Sequence, residues 1–259
     1  MGLLDRFGLS PRKVLGQNFL ADPNITQRIV ALAGVGVGDL VVEIGAGTGT
    51  LTKALAAAGA RVVAYEVDDR MRPLLDSEVG DLAEIRYKDA AQVDLAEALE
   101  GGPWTMVANL PYQVGTTVLL DAVTDAGQIE SFVVMVQREV ADRLLASPGS
   151  KTYGLPSVVA GLFCDIEFGF AVGPQVFVPA PNVDSAVIRL ARTSPPSARR
   201  RQAADLAAAA FSQRRKMLRS SLRGALDDPI SVLTRAGIEP TARPEDLPPT
   251  SFLEIADAA

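Results

Sequence analysis

The sequence predicts an α/β fold, a largely parallel sheet with helices on both faces, followed by a small all-helical domain. Three observations predict it. Short apolar runs alternate with stretches of helical periodicity from about residue 24 to residue 145. The first such run ends in a glycine-rich turn, Glu43-Ile-Gly-Ala-Gly-Thr-Gly49, that opens a helix. At Thr193–Ser197 (TSPPS) paired prolines make a linker, beyond which the chain turns rich in Ala, Leu and Arg.

Taken in order, residues 24–33 have helical periodicity and Leu40–Ile44 reads as a buried strand. Leu51–Ala58 is a helix, Arg61–Tyr65 a strand ending at Glu66, and Arg70–Leu75 a helix. Ile85–Tyr87 is a short strand ending at Asp89, and Trp104–Ala108 a strand ending at Asn109. Val114–Val123 (helix), Phe132–Val136 (strand) and Arg138–Leu145 (helix) complete the alternation. Phe163–Phe170 and Ser185–Leu190 read as late strands, an antiparallel finish to the sheet. Ala203–Leu226 reads as one helix with Ala207, Phe211, Leu218 and Leu222 on one face, and a short helix closes the tail from Pro240. The division expected is therefore a domain over residues 1–192 and a helical one over 198–259.

Composition removes several chemistries. The 259 residues include no His and a single Cys, Cys164, which excludes imidazole acid–base catalysis, an intrachain disulfide and almost every zinc site. Cys164 sits in an apolar run and is expected in the core. No signal-peptide pattern and no apolar run of 18 residues occurs, so a cytoplasmic protein with no membrane span is expected. The net charge of −6 argues against nucleic acid, but its distribution is uneven. Residues 22–192 carry 12 basic against 22 acidic groups. Arg199–Arg223 carries eight cations (Arg199, Arg200, Arg201, Arg214, Arg215, Lys216, Arg219 and Arg223) against Asp205 alone. Such a run is either a solvated helix face or a phosphate-binding surface.

The glycine turn, with Gly45, Gly47 and Gly49, is either a tight strand-to-helix connection or a place where a ligand approaches the main chain. The acidic strand ends sharpen the second reading. Ligands in open α/β sheets sit outside the carboxyl ends of the strands. There Glu66 can accept from both hydroxyls of a ribose, and Asp89 from an adenine amine. The pattern of E-x-G-x-G-x-G, Glu and Asp at three successive strand ends resembles the Rossmann-like class I methyltransferases and implies S-adenosyl-L-methionine, with S-adenosyl-L-homocysteine as product and no metal. A nicotinamide reading lacks a Tyr-x-x-x-Lys pair, since Tyr65, Tyr87, Tyr112 and Tyr153 are followed four residues on by Asp69, Ala91, Thr116 and Ser157.

The fourth strand ends in Asn109-Leu110-Pro111-Tyr112. This is similar to the Asn/Asp-Pro-Pro-Tyr signature of methyltransferases that act on exocyclic amines. The N6 lone pair of adenine is delocalised into the ring and is a poor nucleophile. An amide oxygen at Asn109 and the main-chain carbonyl of Leu110 can accept its two hydrogens and free that lone pair. Pro111 helps to hold the carbonyl, and Tyr112 offers a face for stacking the base. A methylated nitrogen is strongly acidic, so no strong base is needed. The target base must be flipped or unpaired to reach such a site. Phe177 is the candidate for the opposite face of the base, with a core Phe as the ordinary alternative.

Together these segments resemble the small-subunit rRNA adenine N6-dimethyltransferase family over essentially the whole chain. The resemblance is carried by Gly16-Gln-Asn-Phe-Leu20, Glu43–Thr52, Asn109–Tyr112, Val136–Val140, Tyr153–Ser157, Phe177-x-Pro-x-Pro-x-Val-x-Ser185, Ala210–Arg219, and Arg243-Pro-Glu-x-Leu247 with Phe252. It implies that Gln17, Asn18 and Leu20 close the cofactor pocket. It further implies Gly45 near the methionine part, Glu66 and Val67 at the ribose, and Asp89 and Ala90 at the adenine. Asn109 and Leu110 would hold the amine, with Tyr112 and Phe177 around the base. The implied substrate is a pair of adjacent adenines in the 3′-terminal hairpin of small-subunit rRNA, dimethylated by a monomer within a pre-assembled 30S-type subunit. Arg214, Arg215, Lys216, Arg219 and Arg223 would contact RNA. Departures from the family pattern are Ala46 in the glycine loop, Val14-Leu15 in the N-terminal approach, Gln113 after the tetrapeptide, and the acidic body. The alternatives are a large-subunit rRNA adenine methyltransferase of the macrolide-resistance type and a non-catalytic assembly factor.

Overall fold

The structure, a computed structural model, describes residues 2–112 and 114–259, so Gln113 lies outside the described residues. Among the described residues nine strands occur in chain order: β1 (Phe19–Leu20), β2 (Leu40–Ile44), β3 (Arg61–Glu66), β4 (Glu84–Tyr87), β5 (Trp104–Asn109), β6 (Ile129–Gln137), β7 (Cys164–Val172), β8 (Phe177–Val178) and β9 (Ser185–Arg192). Seven of them form one sheet in the order β4-β3-β2-β5-β6-β9-β7. The pairs from β4 to β6 are parallel, and β9 runs antiparallel to β6 with Ser185 opposite Gln137. The α/β class and the antiparallel return read from the sequence are both present. β1 and β8 form a separate antiparallel pair, Phe19 opposite Val178 and Leu20 opposite Phe177.

By their internal contacts, the chain as far as Ala122, with residues 126–141 and 167–191, forms one compact unit. Residues 123–125, 142–166 and 192–259 form a second. A single cut at the proline linker does not describe this division, because residues 142–166 group with the C-terminal segment.

In the first unit the sheet is buried because its strands are. β2 is buried from Val41 to Ile44, and β6 from Phe132 to Val136. The helix Pro23–Ala33 starts where Asp22 accepts from the Asn24 N–H at 2.7 Å and Pro23 presets the first turn, and it stops at Gly34 in the left-handed region. Its buried face is Thr26, Ile29 and Val30, while that of the helix Thr50–Ala57 is Leu51, Thr52 and Leu55. Ile29 and Leu55 join Val41, Val107 and Val133 in one core cluster. Each large apolar side chain so buried contributes about 1.5–3 kcal/mol.

In the second unit three helices pack together: Leu155–Phe163, Ala198–Phe211 and Pro249–Ala258. Small residues permit close approach, since a Cβ on Gly161 would stand 2.8 Å from the Pro249 ring. Phe211 lies between Tyr153 and Phe252, with ring centroids 6.3 and 6.4 Å away. The Tyr153 hydroxyl donates to the Leu247 carbonyl at 2.7 Å. Cys164 is buried, as expected, and burial pushes its thiol up to about 11.

Two readings of this unit require correction. Ala203–Leu226 is not one helix. It ends at Phe211, residues 212–217 turn, and a new turn of helix spans Leu218–Ser221. The break is stabilised by new main-chain partners, Leu218 N–H to the Ala242 carbonyl (2.8 Å) and Arg219 N–H to that of Pro240 (3.1 Å). It still buries Leu218 and Leu222 completely. Phe163 ends a helix rather than starting a strand, and that helix escaped notice because it is apolar almost throughout. Among the described residues no helix is long and apolar enough to cross a membrane.

Phe252 is fully buried against Phe211. Phe252→Ala should therefore cost about 3–5 kcal/mol, read as a lowered urea midpoint in unfolding of the full chain.

Candidate active site

The site lies at the carboxyl edge of the sheet, where β2, β3, β4 and β5 end side by side. After β2 the chain turns through Gly45 (φ 83°) and Gly47 (φ 54°), conformations that glycine adopts without strain. The turn is pinned to β3 because the N–H groups of Gly45 and Ala46 both donate to the Tyr65 carbonyl, at 2.8 and 3.1 Å. Gly47 also leaves room for Phe19, whose ring would stand 3.0 Å from an added Cβ.

Glu66, at the end of β3, is 4% exposed. Each carboxylate oxygen accepts one main-chain N–H, from Gly47 at 2.8 Å and from Asp68 at 2.9 Å. Burial raises its pKa, and these two bonds oppose the rise. Each oxygen retains a further lone pair for a hydroxyl donor. Asp89 is half-buried beyond β4 and accepts from the Ala91 N–H at 3.0 Å and the Gln92 amide at 3.3 Å.

Asn109 ends β5, and the Leu110 N–H donates to the Met135 carbonyl on β6 at 3.1 Å, which holds the tetrapeptide against the sheet. The next turn closes through the Gly115 N–H on the Pro111 carbonyl at 2.7 Å. A side chain at position 115 would collide with Leu110, as a Cβ there would lie 2.7 Å from the Leu110 Cβ. The Asn109 Nδ2 donates to the Asn18 carbonyl at 3.2 Å. A carbonyl can only accept, so this bond selects one face of the amide and leaves Oδ1 as the atom with acceptor capacity to spare.

Asn18 belongs to the segment from Arg12 to Leu20, which the structure holds at several points. Gln17 accepts from the Arg12 N–H at 2.8 Å and donates to Asp68 at 3.1 Å. Asp68 is 3% exposed and takes a bidentate bond from Arg70 at 2.9 and 2.6 Å. The Arg70 bonds, aided by Gln17, hold its carboxyl down at about 2. Sequence reasoning missed Asp68; its only signal was the repetition of acids in Glu66-Val-Asp-Asp69.

Two adjoining cavities result. One, of about 160 Å³, has an apolar lining that includes Ile44, Val67, Pro111 and Val118, with Asp89 and Ala90 at its side. The other, of about 70 Å³, is lined by Gln17, Asn18, Gly47, Glu66 and the four residues Asn109–Tyr112. Gly45, Leu15, Val67 and Pro111 line both. The structure thus gathers the expected cofactor residues, with two qualifications. Leu20 borders a separate groove of about 580 Å³, and Gly49 packs against Val79, only 2.5 Å from a built Cβ. Phe177 is 3% exposed and lies in the core cluster with Phe19 and Leu20, not in the lining of these two cavities.

The basic run is divided in the second unit. Arg199 pairs with Asp257, Arg201 with Asp125 at 3.0 Å, and Arg214 with Glu245 at 2.6 Å. Arg200 donates to the Leu162 carbonyl at 2.8 Å. Arg215, Lys216, Arg219 and Arg223 are exposed and carry no side-chain bond among the described residues. Those described residues also contain no cluster of three or more acidic or Cys side chains placed to hold a metal.

Comparison with known proteins bears on this arrangement. The family model for ribosomal RNA adenine dimethylase matches residues 8–259. The chain belongs to the ribosomal RNA adenine dimethylase family. The ribosomal RNA small subunit methyltransferase A of Phenylobacterium zucineum is 46% identical over 260 residues, covering 98% of this chain and 90% of its own length. The protein of that name from Nocardia farcinica is 43% identical, covering 99% and 92%. Among solved structures, a dimethyladenosine transferase from Plasmodium falciparum superposes with a TM-score of 0.74 at 23% identity, covering 92% of this chain and 95% of its own. The 23S rRNA methyltransferase ErmE gives 0.68 at 25% identity, covering 93% and 99%. The fold of this dimethylase family member is the Rossmann-like class I methyltransferase fold with a helical C-terminal part.

Glu43 begins the family member's glycine turn yet is 1% exposed, bonded by the Thr52 hydroxyl at 2.6 Å. Burial pushes it up from the usual 4.5 to about 8, the Thr52 bond opposes this, and Glu66 adds to it. Between those values the unfolded chain has lost the proton and the folded chain keeps it. Stability therefore falls as pH rises through the window, by at most about 1.4 kcal/mol per pH unit from this group. Glu43→Gln should flatten the dependence of the urea midpoint on pH from about 5 to about 8 and gain most at the upper end. Parallel profiles for variant and wild type would contradict the assignment.

Proposed function

We propose that this chain transfers methyl groups from S-adenosyl-L-methionine to the N6 amines of two adjacent adenines in the 3′-terminal hairpin of small-subunit rRNA, two methyls to each. The observation that carries the reading is the Asn109 amide in the cavity lining, whose Nδ2 is committed to the Asn18 carbonyl so that Oδ1 is the atom left to accept.

The residues present fit a nucleoside-bearing donor. The apolar slot of Ile44, Val67, Pro111 and Val118 suits a purine ring, with the Asp89 carboxylate beside it for an amine. Glu66 keeps acceptor capacity for ribose hydroxyls, Ala90 and Val67 flank the slot, and the glycine turn with Gln17 and Asn18 encloses the remainder. When bound, S-adenosyl-L-methionine supplies an electrophilic methyl on a sulfonium and leaves as S-adenosyl-L-homocysteine.

The chain's own part is orientation. Asn109 Oδ1 and the Leu110 carbonyl accept the two amine hydrogens, which draws the nitrogen toward tetrahedral geometry and exposes its lone pair. Pro111 holds that carbonyl in place, and Tyr112 provides the face on which the base stacks. Holding the reacting atoms in line can account for most of the acceleration. The proton on the methylated nitrogen is acidic enough to leave to water, so a protein without His lacks nothing the reaction needs. Phe177 closes the sandwich in this reading, and to do so its ring must leave the core position it occupies here.

The small subunit is favoured over the large by identity: 46% to a protein named for the former against 25% to one named for the latter. We place the reaction in the cytoplasm, on RNA within a pre-assembled 30S-type subunit, with the enzyme acting as a monomer. Arg215, Lys216, Arg219 and Arg223 meet phosphates, while Arg214 stays committed to Glu245 and holds its loop.

Labelled methyl transfer followed by mapping of the modified base tests this. Label should enter adjacent adenines of unmethylated small subunits and not large-subunit RNA; label in large-subunit RNA alone would overturn the assignment. Reversing Arg215 and Arg219 to Glu should weaken subunit binding and reduce the slope of log affinity against log salt by about one for each phosphate no longer neutralised. An unchanged slope would mark these side chains as a solvated face.

A further inference from the structure

The hydroxyl of Tyr112 lies 2.8 Å from the Oγ of Ser185. Ser185 is 0% exposed and is the first residue of β9. The sheet topology explains the meeting. β5 and β6 are parallel, so Asn109 and Gln137 end at the same edge. β9 is antiparallel to β6, so its first residue, not its last, returns to that edge opposite Gln137. The strand reversal thus delivers a buried hydroxyl to the tip of the tetrapeptide's aromatic ring.

Tyr112 also borders, with Gly115, Thr116, Val136, Gln137 and Val140, a small pocket of about 10 Å³ that opens to solvent. The hydroxyl lies on the ring's rotation axis, so a bond there sets where the side chain points and leaves its plane to the neighbours. Stacking on a base needs the first of these set in advance.

We infer that Ser185 is a positioning residue for methyl transfer: it tethers the tip of Tyr112 and so places the face that receives the target base. This rests on the reading that Tyr112 stacks the target adenine. The tether contributes to turnover rather than to holding the cofactor, because Ser185 lies outside the linings of both cofactor cavities.

The test compares wild type, Ser185→Ala, Ser185→Thr, Tyr112→Phe and the double variant Tyr112→Phe/Ser185→Ala. Turnover and KM are measured with labelled donor on unmethylated small subunits, and cofactor affinity by calorimetry. Ser185→Ala and Tyr112→Phe should each lower kcat about tenfold, with KM and cofactor affinity within about twofold of wild type. The double variant should be no slower than either single one, since both remove one bond. Ser185→Thr should restore most of the turnover. A merely structural serine would instead lower cofactor affinity together with turnover. Wild-type turnover in Ser185→Ala, or a double variant slower by the product of the single effects, would overturn the inference while leaving the proposed reaction intact. A wild-type enzyme that transfers no label to adenine would remove both.

Discussion

The bond from the Asn109 amide to the Asn18 carbonyl joins the two halves of the site, and much of the local structure can be understood as serving it. Asn109 is held from the sheet side by the strand it ends and by the Leu110 bond to β6. Asn18 is held from the other side by a segment with four attachments: Gln17 to Asp68, Phe19 over Gly47, the β1–β8 pair, and the Ala21 N–H on the Val176 carbonyl. Each hydrogen bond contributes only about 1 kcal/mol net, so the segment is ordered by the sum of these bonds and by the burial of Phe19 and Leu20.

Crowding of carboxyls is the second constraint. Glu43, Glu66 and Asp68 occupy the ends of two adjacent strands, and three buried anions there would repel one another. Each is accommodated differently. Glu43 keeps its proton, with its pKa near 8, and acts on Thr52 as a neutral or nearly neutral group. Asp68 stays charged because Arg70 neutralises it. Glu66 depends on two main-chain donors, and the Asp68 N–H is one of them. The turn that presents Glu66 is therefore the turn that carries Asp68, and Asp68 in turn secures Gln17. One short acidic stretch sets a candidate ribose acceptor and fastens the segment that covers it.

The cations follow the opposite logic. Of the eight basic residues between Arg199 and Arg223, three form ion pairs and one caps a carbonyl. The exposed pairs add little stability each, but they take those guanidiniums out of the set free to meet phosphate. What remains is four cations: Arg215 and Lys216 in the turn at 212–217, Arg219 on the short helix Leu218–Ser221, and Arg223 in the turn that follows it. In the proposed reading, an acidic chain can still approach RNA where exposed cations free of ion pairs reverse its field locally.

The break in the long expected helix marks the limit of what the sequence discloses. The helix from residue 24 was legible because one face meets the core and the pattern records it, and Leu40–Ile44 because a short apolar run ends there in glycines. The helix Leu155–Phe163 was not, because burial on nearly all sides erases the period. The turn at 212–217 was not, because its stabilising carbonyls come from Pro240 and Ala242, which no local window contains. The site divides along the same line. Gly45, Glu66, Asp89 and Asn109 announce themselves by standing at strand ends, a position that local pattern can locate. Asp68 and Ser185 matter through partners 51 and 73 residues away, Gln17 and Tyr112, and acquire meaning only once the sheet order is known. Phe177 shows the converse: its motif left base stacking and the core both open, and pairing with Leu20 places it in the core. A residue type at a given spacing therefore names a chemistry more reliably than it names a position, and the position comes from how the strands return.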